Sequence, residues 1–355
     1  MTTSGTVSTT TFRTRSVVDR AFGRCKLKPE QISAEYQDIA RQNLYLILSA
    51  LANRGVPLWC IEKVILPLYQ GQAIVEAPLG TVSVMNSSYR SLSRVTGTNT
   101  SSAGGTVANA FDDDFATSLT QTSALGNVQV LFASTTLVTS IGYLPNATGT
   151  LSLSFQRSSD GSTWTTVLAP GSTSYVAGTW VWYDLDGGIA SLYWRVLALS
   201  GTIDAREIFL GNTPAETTLG RINQDDYTAL PNKTFEGRPL QFFFNRLRGS
   251  SDALPRLYTW PVCDLTNRYG QIVVWRQRQI QDVGTLAQDL DIPQRWVKAI
   301  VAELAAELAA ELPEVPETLE IKLIGQARTA YIEAQGEERD DSPFTITAQI
   351  GAYTR

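Results

Sequence analysis

The chain has 355 residues, of which 43% are hydrophobic and 18% are charged, and its formal net charge is −5. A chain of this length can form two or three domains with a substantial buried core. It contains no histidine, which excludes Ser-His-Asp and Cys-His catalytic relays and removes the commonest zinc ligand. The composition is typical of a folded globular protein, and the missing histidine favours a protein that is not an enzyme.

The cysteines and the apolar segments indicate the cellular compartment in which the protein folds. Cys25, Cys60 and Cys263 are odd in number and far apart, so they predict buried thiols in a reducing compartment rather than disulfides. Neither a secretion signal nor an apolar run long enough to span a membrane is evident. The sequence therefore predicts a soluble cytoplasmic protein with no membrane partner, and its negative net charge gives no general attraction to nucleic acid.

The middle of the chain differs in composition from its flanks. Residues 94–213 hold four basic, eight acidic and 34 Ser/Thr residues among 120 positions, whereas the flanks hold the other 51 charges. Short apolar or alternating segments between turn residues predict a β-sandwich or jelly roll here. We therefore predict an α+β multidomain fold: a flexible arm (1–15), a helical core with small β elements (16–93 and 214–339), an inserted all-β domain (94–213) and an extended C-terminal arm (340–355).

Helical periodicity marks four segments of the flanks. The first helix is predicted at residues 16–24, and the second begins at Pro29 and ends near residue 53. Pro293 precedes a long helix over residues 294–312, and the last helix covers residues 317–336. Strands are expected in the flanks at residues 61–68, 73–76, 82–85, 240–246, 256–260 and 271–279.

In the middle domain, strands are predicted at residues 180–185 and 193–199, among others, with Asp186-Gly187-Gly188 as a turn between these two. Such short strands joined by turns are typical of a sandwich.

The long helix of the second flank repeats the sequence Ala-Glu-Leu-Ala. Its leucines recur every four residues and predict a stripe that faces the core. Its glutamates recur at the same spacing, at which like charges repel weakly. Two interpretations stay open for these glutamates, a solvated face opposite the leucine stripe or an acidic lining of a DNA channel. They are Glu303, Glu307 and Glu311.

Two groups of residues in the insert have ligand-binding chemistry. Asp112-Asp113-Asp114 with Thr117 offers several hard oxygens, which suit either calcium or a solvated turn. Aromatic side chains either stack on a sugar or pack in the core, and the latter is commoner at alternating strand positions. The aromatic residues concerned are Trp164, Trp180, Trp182, Tyr183, Tyr193 and Trp194.

Short motifs in the flanks resemble those of a known family. Residues 17–22 read Val-Val-Asp-Arg-Ala-Phe, and residues 51–55 read Leu-Ala-Asn-Arg-Gly. Residues 222–227 read Ile-Asn-Gln-Asp-Asp-Tyr, and residues 289–296 read Asp-Leu-Asp-Ile-Pro-Gln-Arg-Trp. In this order the motifs resemble the head-to-tail adaptor proteins of short-tailed bacteriophages, over residues 15–92 and 214–340.

This resemblance implies a structural role in the virion. Such an adaptor forms a ring, usually of twelve copies, beneath the portal protein at the head–tail junction, after assembly in the cytoplasm of the bacterial host. It extends the channel through which double-stranded DNA passes without sequence-specific binding, and it joins the tail nozzle protein and a tail fibre or tailspike. The resemblance implies that the C-terminal arm docks on the portal and that Glu303, Glu307 and Glu311 line the channel. The arm residues concerned are Phe344, Ile346, Ile350, Tyr353 and Arg355.

The insert resembles a different family. Residues 110–114, 158–164 and 193–196 are similar to segments of discoidin-like, galactose-binding jelly rolls, and the similarity extends over about residues 98–212. In that family a calcium ion often binds the loop after the first strand together with a late glutamate. Carried over to this chain, the calcium ligands are Asp112, Asp114, Thr117 and Glu207, and no other cofactor is expected.

Three hypotheses for function follow. The first is a ring-forming adaptor without chemistry of its own. The alternative is a carbohydrate-binding tail component that acts through the insert and uses aromatic residues such as Trp180 or Trp182. The third is a peptidoglycan hydrolase, which needs two carboxylates that face each other across a groove.

Overall fold

A computed structural model describes the fold for residues 12–51, 58–212, 216–247, 250–264 and 269–337. The chain divides into two compact units, one made of residues 1–62 with residues 277–355 and the other of residues 63–276. The described helices are α1 (Thr14–Arg24), α2 (Ala34–Leu51), α3 (Gln224–Ala229), α4 (Gln294–Glu311) and α5 (Glu317–Glu337).

Helices α1, α2, α4 and α5 form the first unit around one core. The four predicted helices are confirmed, although Pro29–Gln31 form a separate 3₁₀ turn ahead of α2. Helix α2 begins at Ala34 because the Ser33 hydroxyl accepts a hydrogen bond from the Tyr36 N–H at 3.2 Å, as N-cap serines do.

Helix α4 is buried on most of its surface. Its leucines, including Leu304 and Leu308, face the core as predicted, and Ala302, Ala305 and Ala309 are also buried. Alanine at these positions lets neighbouring helices approach closely, so α4 packs against the other three helices of the unit. No helix within the described ranges is both long and apolar enough to cross a membrane.

The predicted buried thiols are confirmed. Cys25, Cys60 and Cys263 are all buried thiols outside any disulfide. Burial raises the pKa of Cys25 to about 11, and burial with the nearby charge of Asp264 raises the pKa of Cys263 to about 12. The Cys25 and Cys263 thiols are therefore protonated at neutral pH.

The second unit is built of strands. In chain order they are β1 (Ile61–Leu68), β2 (Ile74–Glu76), β3 (Thr81–Ser91), β4 (Ser93–Arg94), β5 (Thr98–Ser101), β6 (Leu119–Thr120), β7 (Asn127–Pro145), β8 (Gly149–Ser158), β9 (Thr165–Tyr175), β10 (Val181–Ala198), β11 (Asp204–Asn212), β12 (Glu216–Thr218), β13 (Gly220–Arg221), β14 (Glu236–Gly237), β15 (Gln241–Asn245), β16 (Arg256–Trp260), β17 (Val262–Cys263) and β18 (Gly270–Arg278).

The flanks contain more β structure than predicted, and the helical core expected for them is not confirmed as a whole. One four-stranded sheet has the order β1-β18-β3-β12, and another has the order β13-β15-β16-β2. We call these two the flanking sheets. Alternation along their strands buries Phe242, Phe244, Leu257, Ile272 and Val274 in a core that both sheets share. The chain as a whole is therefore mostly β, with helices confined largely to its first unit.

Strands from residues 93–212 form one eight-stranded sheet, whose main path is β4-β11-β7-β10-β8-β9. Apolar side chains from β6 through β11 meet in a single core around Phe155, Trp194 and Ile208. Because one sheet supplies all sides of this core, it must curve over itself, as in a sandwich or jelly roll. The predicted all-β character of the insert is confirmed.

One predicted turn in the insert is wrong. Residues 186–188 do not separate two strands but lie within β10, which pairs with β7 from Val181↔Tyr143 to Leu197↔Asn127. The register shifts between Asp184 and Ile189, and Gly187 and Gly188 have φ of 77° and 68°. These values suit glycine, so Asp-Gly-Gly forms a bulge that bends a continuous strand.

The insert leaves and rejoins the flanking sheets through paired strands. Strand β4 pairs with β11 through Arg94↔Gly211, and β3 pairs with β12 through Arg90↔Glu216. Both pairs are antiparallel, so the entry and the exit of the insert lie side by side. We call these two strand pairs the stem of the insert.

Candidate functional site

The acidic turn predicted to bind calcium is held by its own hydrogen bonds. The Thr117 hydroxyl donates to Asp112 Oδ2 at 2.9 Å, and the Asp114 N–H donates to Asp112 Oδ1 at 2.9 Å. The Ala116 N–H donates to Asp114 Oδ1 at 3.0 Å. The structure thus brings three of the four predicted ligands into one turn, where their oxygens satisfy the local backbone.

The fourth predicted ligand, Glu207, is paired with an arginine. Glu207 is 0% exposed, and its Oε2 accepts a hydrogen bond from Arg94 Nη2 at 2.6 Å. The same nitrogen lies 3.0 Å from Asp113 Oδ1 and donates to the Tyr269 hydroxyl at 2.9 Å, while Tyr269 donates to Asp113. We call these four residues the Arg94 cluster. The Arg94 guanidinium thus pairs with Glu207, the carboxylate that the family resemblance implies as a calcium ligand.

Aromatic rings enclose the Arg94 cluster. The Arg94 guanidinium lies 5.5 Å from the ring centroids of Phe209 and Tyr269 and 5.9 Å from that of Phe111. Cation–π attraction at such distances favours a buried arginine over an exposed one. The ion pairs of Arg94 with Glu207 and Asp113 lie within the insert. Tyr269 lies just before β18, so its hydrogen bonds with Arg94 and Asp113 join the insert to the flanking segment.

Burial also changes the acidity of Glu207. Loss of solvent raises the pKa of Glu207 to about 7 against the opposing effect of Arg94, and the charges of Asp113 and Asp112 add to the rise. Within the described residues, Oε1 of Glu207 and two nitrogens of Arg94 have no hydrogen-bond partner. Leaving buried polar atoms unpaired costs free energy. The stability of the Arg94 cluster therefore depends strongly on the 2.6 Å contact between Arg94 Nη2 and Glu207 Oε2.

Across the described residues, no group of three or more Asp, Glu or Cys side chains is arranged to hold a metal ion. Asp112, Asp114 and Thr117 share a turn, whereas Glu207 faces Arg94. Calcium binding by these residues stays a prediction.

Two of the aromatic residues for which sugar stacking or core packing stayed open lie beside this cluster. Trp180 and Trp182 stack on each other with centroids 4.6 Å apart. Trp182 meets Phe209 edge-on at 5.2 Å, and Trp180 meets Tyr269 at 5.9 Å. Trp180 is only 5% exposed and Trp182 is half-buried, so core packing, the commoner of the two interpretations, describes this pair. Alternation could not show that Tyr69 and Tyr269, from segments outside the insert, pack on this face.

The other aromatic residues of the set are distributed between the core and the surface. Trp194 is 1% exposed, and Tyr183 packs against the insert core. Trp164 and Tyr193 are half-buried, and the Arg195 guanidinium covers one face of Trp164 at 4.1 Å. None of the six residues is fully exposed.

A cavity of about 280 Å³ opens at the end of the insert sheet where β7 ends and β11 begins. Residues 147–151 and 201–204 form its walls, and Tyr143 and Tyr175 line it with aromatic carbon. We call it the loop cavity. Its volume is at the small end of the range for ligand pockets.

Hydrogen bonds fix the polar wall of the loop cavity. Asp204 Oδ1 accepts from the Thr120 hydroxyl at 2.8 Å and from Asn146 Nδ2 at 3.1 Å. Asn146 Oδ1 in turn accepts from Arg206 Nε at 3.3 Å, and the Tyr143 hydroxyl donates to the Asp204 carbonyl at 3.1 Å. The wall is thus a preorganised set of donors and acceptors beside aromatic carbon.

Exposed hydroxyls stand at the mouth of the loop cavity. Thr148, Thr150 and Thr202 line the cavity and are exposed. Sequence reasoning missed this site because its residues come from two separate loops and from the ends of four strands. The Pro145-Asn146 turn was its only local signal.

The glutamates predicted to line a channel lie on one side of α4. Glu303 is half-buried, and Glu307 and Glu311 are exposed. Glu311 Oε2 accepts from Asn43 Nδ2 of α2 at 3.0 Å, so one of the three takes part in helix packing. The predicted docking residues Phe344, Ile346, Ile350, Tyr353 and Arg355 lie outside the described residues.

Comparisons with solved structures find carbohydrate-binding modules. One is CpGH89CBM32-5 from Clostridium perfringens in complex with GalNAc-β-1,3-galactose, with 15% identity and a TM-score of 0.28 over 32% of this chain and 93% of that one. Another is the family 32 module of NanJ from C. perfringens in complex with galactose, with 14% identity and a TM-score of 0.30 over 35% and 99%. A third is chitosan-binding module 1 of a chitosanase/glucanase from Paenibacillus sp. IK-5, with 20% identity and a TM-score of 0.30 over 35% and 99%.

The likeness covers about a third of the chain and concerns the fold alone. No family model matches the sequence, and no curated protein matches it either. None of these comparisons supports the resemblance to head-to-tail adaptors, which stays a prediction.

Proposed function

We propose that this chain is a non-catalytic carbohydrate-binding protein whose inserted jelly roll holds one sugar unit in the loop cavity. The loop cavity carries the proposal, because it combines aromatic carbon with fixed donors and acceptors. A pyranose ring has apolar C–H faces, which can pack on the aromatic carbon, and a rim of hydroxyls, which can bind the fixed donors and acceptors. Tyr143 and Tyr175 offer the apolar contact, and Asp204 and the threonines offer the polar one.

The size of the loop cavity limits the expected affinity. A monosaccharide of about twelve non-hydrogen atoms, at about 0.3 kcal/mol per atom, gains about 4 kcal/mol. This corresponds to a Kd of about 1 mM. Tighter binding to a cell or polymer surface then depends on several copies binding together.

A glycan array probed with the full-length chain tests the proposal. Galactose, GalNAc-β-1,3-galactose and chitosan oligomers, which accompany the similar modules, are suitable first ligands, each with and without calcium. Any hit is then titrated by calorimetry against Thr202→Trp, which fills the cavity from an exposed position. Thr163→Trp, at an exposed turn elsewhere on the insert, is the matched control.

We expect Thr202→Trp to lose at least tenfold in affinity and Thr163→Trp to bind like the unchanged chain. An array without signal overturns the proposal. Equal binding by both variants overturns the assignment to this cavity.

A second function, the ring-forming adaptor that joins a portal to a tail nozzle, is favoured by a different observation. Three isoleucines lie along one side of α5, and Ile321, Ile324 and Ile332 are 65%, 51% and 58% exposed. Their spacing of three and then eight residues keeps them on one helix face. Apolar rows of this kind are typical of surfaces that another protein chain covers, and a neighbouring copy in a ring is such a chain.

Native mass spectrometry with and without the portal protein of the same genome tests this second function. We expect rings or a complex with one copy per portal subunit. Ile321→Asp with Ile324→Asp should prevent it, whereas Gln326→Asp on the same helix should not. A chain that stays monomeric with the portal present excludes the adaptor function.

A further inference from the structure

Two adjacent cavities lie on the helical unit, and Lys322 of α5 lines both. The larger has a volume of about 560 Å³ and is lined by Arg24, Lys298, Lys322, Gln326, Thr329 and Ala330, among others. The smaller, of about 330 Å³, adds Lys26 and Gln31. We call the two together the cationic groove.

Lysines are concentrated in this groove. The chain contains six lysines in all, and three of them, Lys26, Lys298 and Lys322, line it. Three of its cations, Arg24, Lys26 and Lys322, have no ion-pair partner within 4 Å among the described residues, whereas Lys298 is paired with Glu333. A local positive field can therefore exist on a chain whose net charge is −5.

The carboxylates near the groove are already engaged. Glu333 pairs with Lys298 at 2.5 Å on the exposed surface, and Glu314, which lines the smaller cavity, accepts from the Tyr36 hydroxyl at 2.7 Å. No carboxylate lines the larger cavity among its described residues. An anionic ligand would therefore meet cations and neutral donors there.

The length of the groove indicates an extended ligand. Along α5 it reaches from Thr318 to Ala330, which is about 18 Å at 1.5 Å per residue. One strand of duplex DNA advances about 3.4 Å per phosphate, so this length spans about five nucleotides. Gln326 supplies an amide of the type that contacts phosphates beside lysine and arginine.

We infer that the cationic groove binds the phosphate backbone of a nucleic acid, without reading its sequence. Arg24, Lys26 and Lys322 neutralise neighbouring phosphates, and Gln326 donates hydrogen bonds between them. Base recognition is not expected, since the groove offers contacts of the kind made to phosphate and sugar. This inference is independent of sugar binding by the insert.

Fluorescence anisotropy of the full-length chain with a labelled 20-base-pair duplex, measured from 50 to 200 mM NaCl, tests the inference. Three neutralised phosphates predict a slope of log K against log[salt] of about −2.7. Lys322→Ala and Arg24→Ala should each weaken binding and flatten the slope by about 0.9. Arg328→Ala removes the same charge from α5 outside the groove and should change neither value, and circular dichroism checks that every variant is folded.

Two competitors separate the possible anions. An unlabelled duplex of unrelated sequence should displace the probe fully, and millimolar inorganic phosphate should displace it only weakly. Polyglutamate that competes as well as DNA overturns the inference in favour of an acidic protein partner. Absence of DNA binding at 50 mM NaCl, or an equal effect of Arg328→Ala, also overturns it.

Discussion

Arg94 Nη2 lies 2.6 Å from Oε2 of Glu207, which has no solvent exposure. Arg94 stands at the first edge of the insert, and its partner lies 113 residues further along the chain. The pair closes the insert onto the residues through which it begins. With Tyr269 it also ties the insert to the flanking segment.

Loss of this arginine should be costly. Arg94→Met leaves the carboxylate of Glu207 buried without its cation, and we expect the free energy of unfolding to fall by about 3–5 kcal/mol. Urea denaturation measures the change. The double variant Arg94→Met with Glu207→Leu removes both charges and should recover most of the loss. A single variant that costs less than about 1 kcal/mol would show that the cluster is unimportant for stability.

Stability should fall as the pH rises from about 4.5 to about 7. The pKa of Glu207 is raised from 4.5 to about 7 in the folded chain, so the folded state binds more protons than the unfolded state in this window. The free energy of unfolding therefore decreases with rising pH, by up to about 3 kcal/mol from this group. Urea titrations at pH 5 and pH 8 should show this decrease in the unchanged chain and its loss in Glu207→Gln. Asp225→Asn, at an exposed site on α3, should retain it, and parallel behaviour of all three would contradict the assignment.

Calcium should have little effect while Arg94 is present. The guanidinium already lies beside Asp113 and Glu207, and a second cation there would be repelled. We expect the Tm in 1 mM calcium and in EDTA to agree within about 1 °C. A calcium-dependent rise of several degrees, lost in Asp112→Asn, would instead support the calcium site that the family resemblance implies.

Replacement of Gly142 by alanine should destabilise the chain, because the added methyl group has no room. A Cβ at this position would lie 2.4 Å from Trp182 Cζ3 and 2.9 Å from Trp180 Cζ3. Gly142→Ala must displace the stacked pair, and we expect a loss of about 1–3 kcal/mol with a changed near-ultraviolet circular dichroism spectrum. Gly149→Ala, where no atom lies within 4 Å of the added Cβ, is the matched control and should leave the spectrum as it is.

The thiols should be unreactive until the chain unfolds. Cys25, Cys60 and Cys263 are buried, and reaction with Ellman's reagent requires an accessible thiolate. We expect fewer than one thiol per chain to react in buffer and all three to react in denaturant. Rapid reaction of the native chain would show that one of the two units opens readily.

Local patterns predicted the helices because their signals lie within a few residues. Pro293 marks the start of α4, and the leucine period identifies its buried side. The β character of the insert could also be predicted, since alternation and turn residues act over short ranges. Gly187 and Gly188 led to a wrongly predicted turn, because glycines with a positive φ occur in β-bulges as well as in turns.

Contacts between distant segments could not be predicted in this way. Arg94 and Tyr269 are separated by 175 positions, and Asn146 and Asp204 by 58. Whether an aromatic strand face meets solvent or a second sheet depends on such contacts. This is why the sequence left sugar stacking and core packing both open for Trp180 and Trp182, and why the residues that line the loop cavity could not be recognised from local patterns.

The stem has an evolutionary consequence. Since β3 with β12 and β4 with β11 bring the two connections of the insert side by side, the domain can be exchanged as a cassette without displacing the strands that carry it. A replacement must match more than these two ends, because Trp180 donates its backbone N–H to the Tyr69 hydroxyl at 3.0 Å and Arg94 reaches Tyr269. Exchange of the domain by recombination would therefore conserve the surface that contacts Tyr69 and Tyr269. The loops around the loop cavity make neither of these contacts and could diverge toward new ligands.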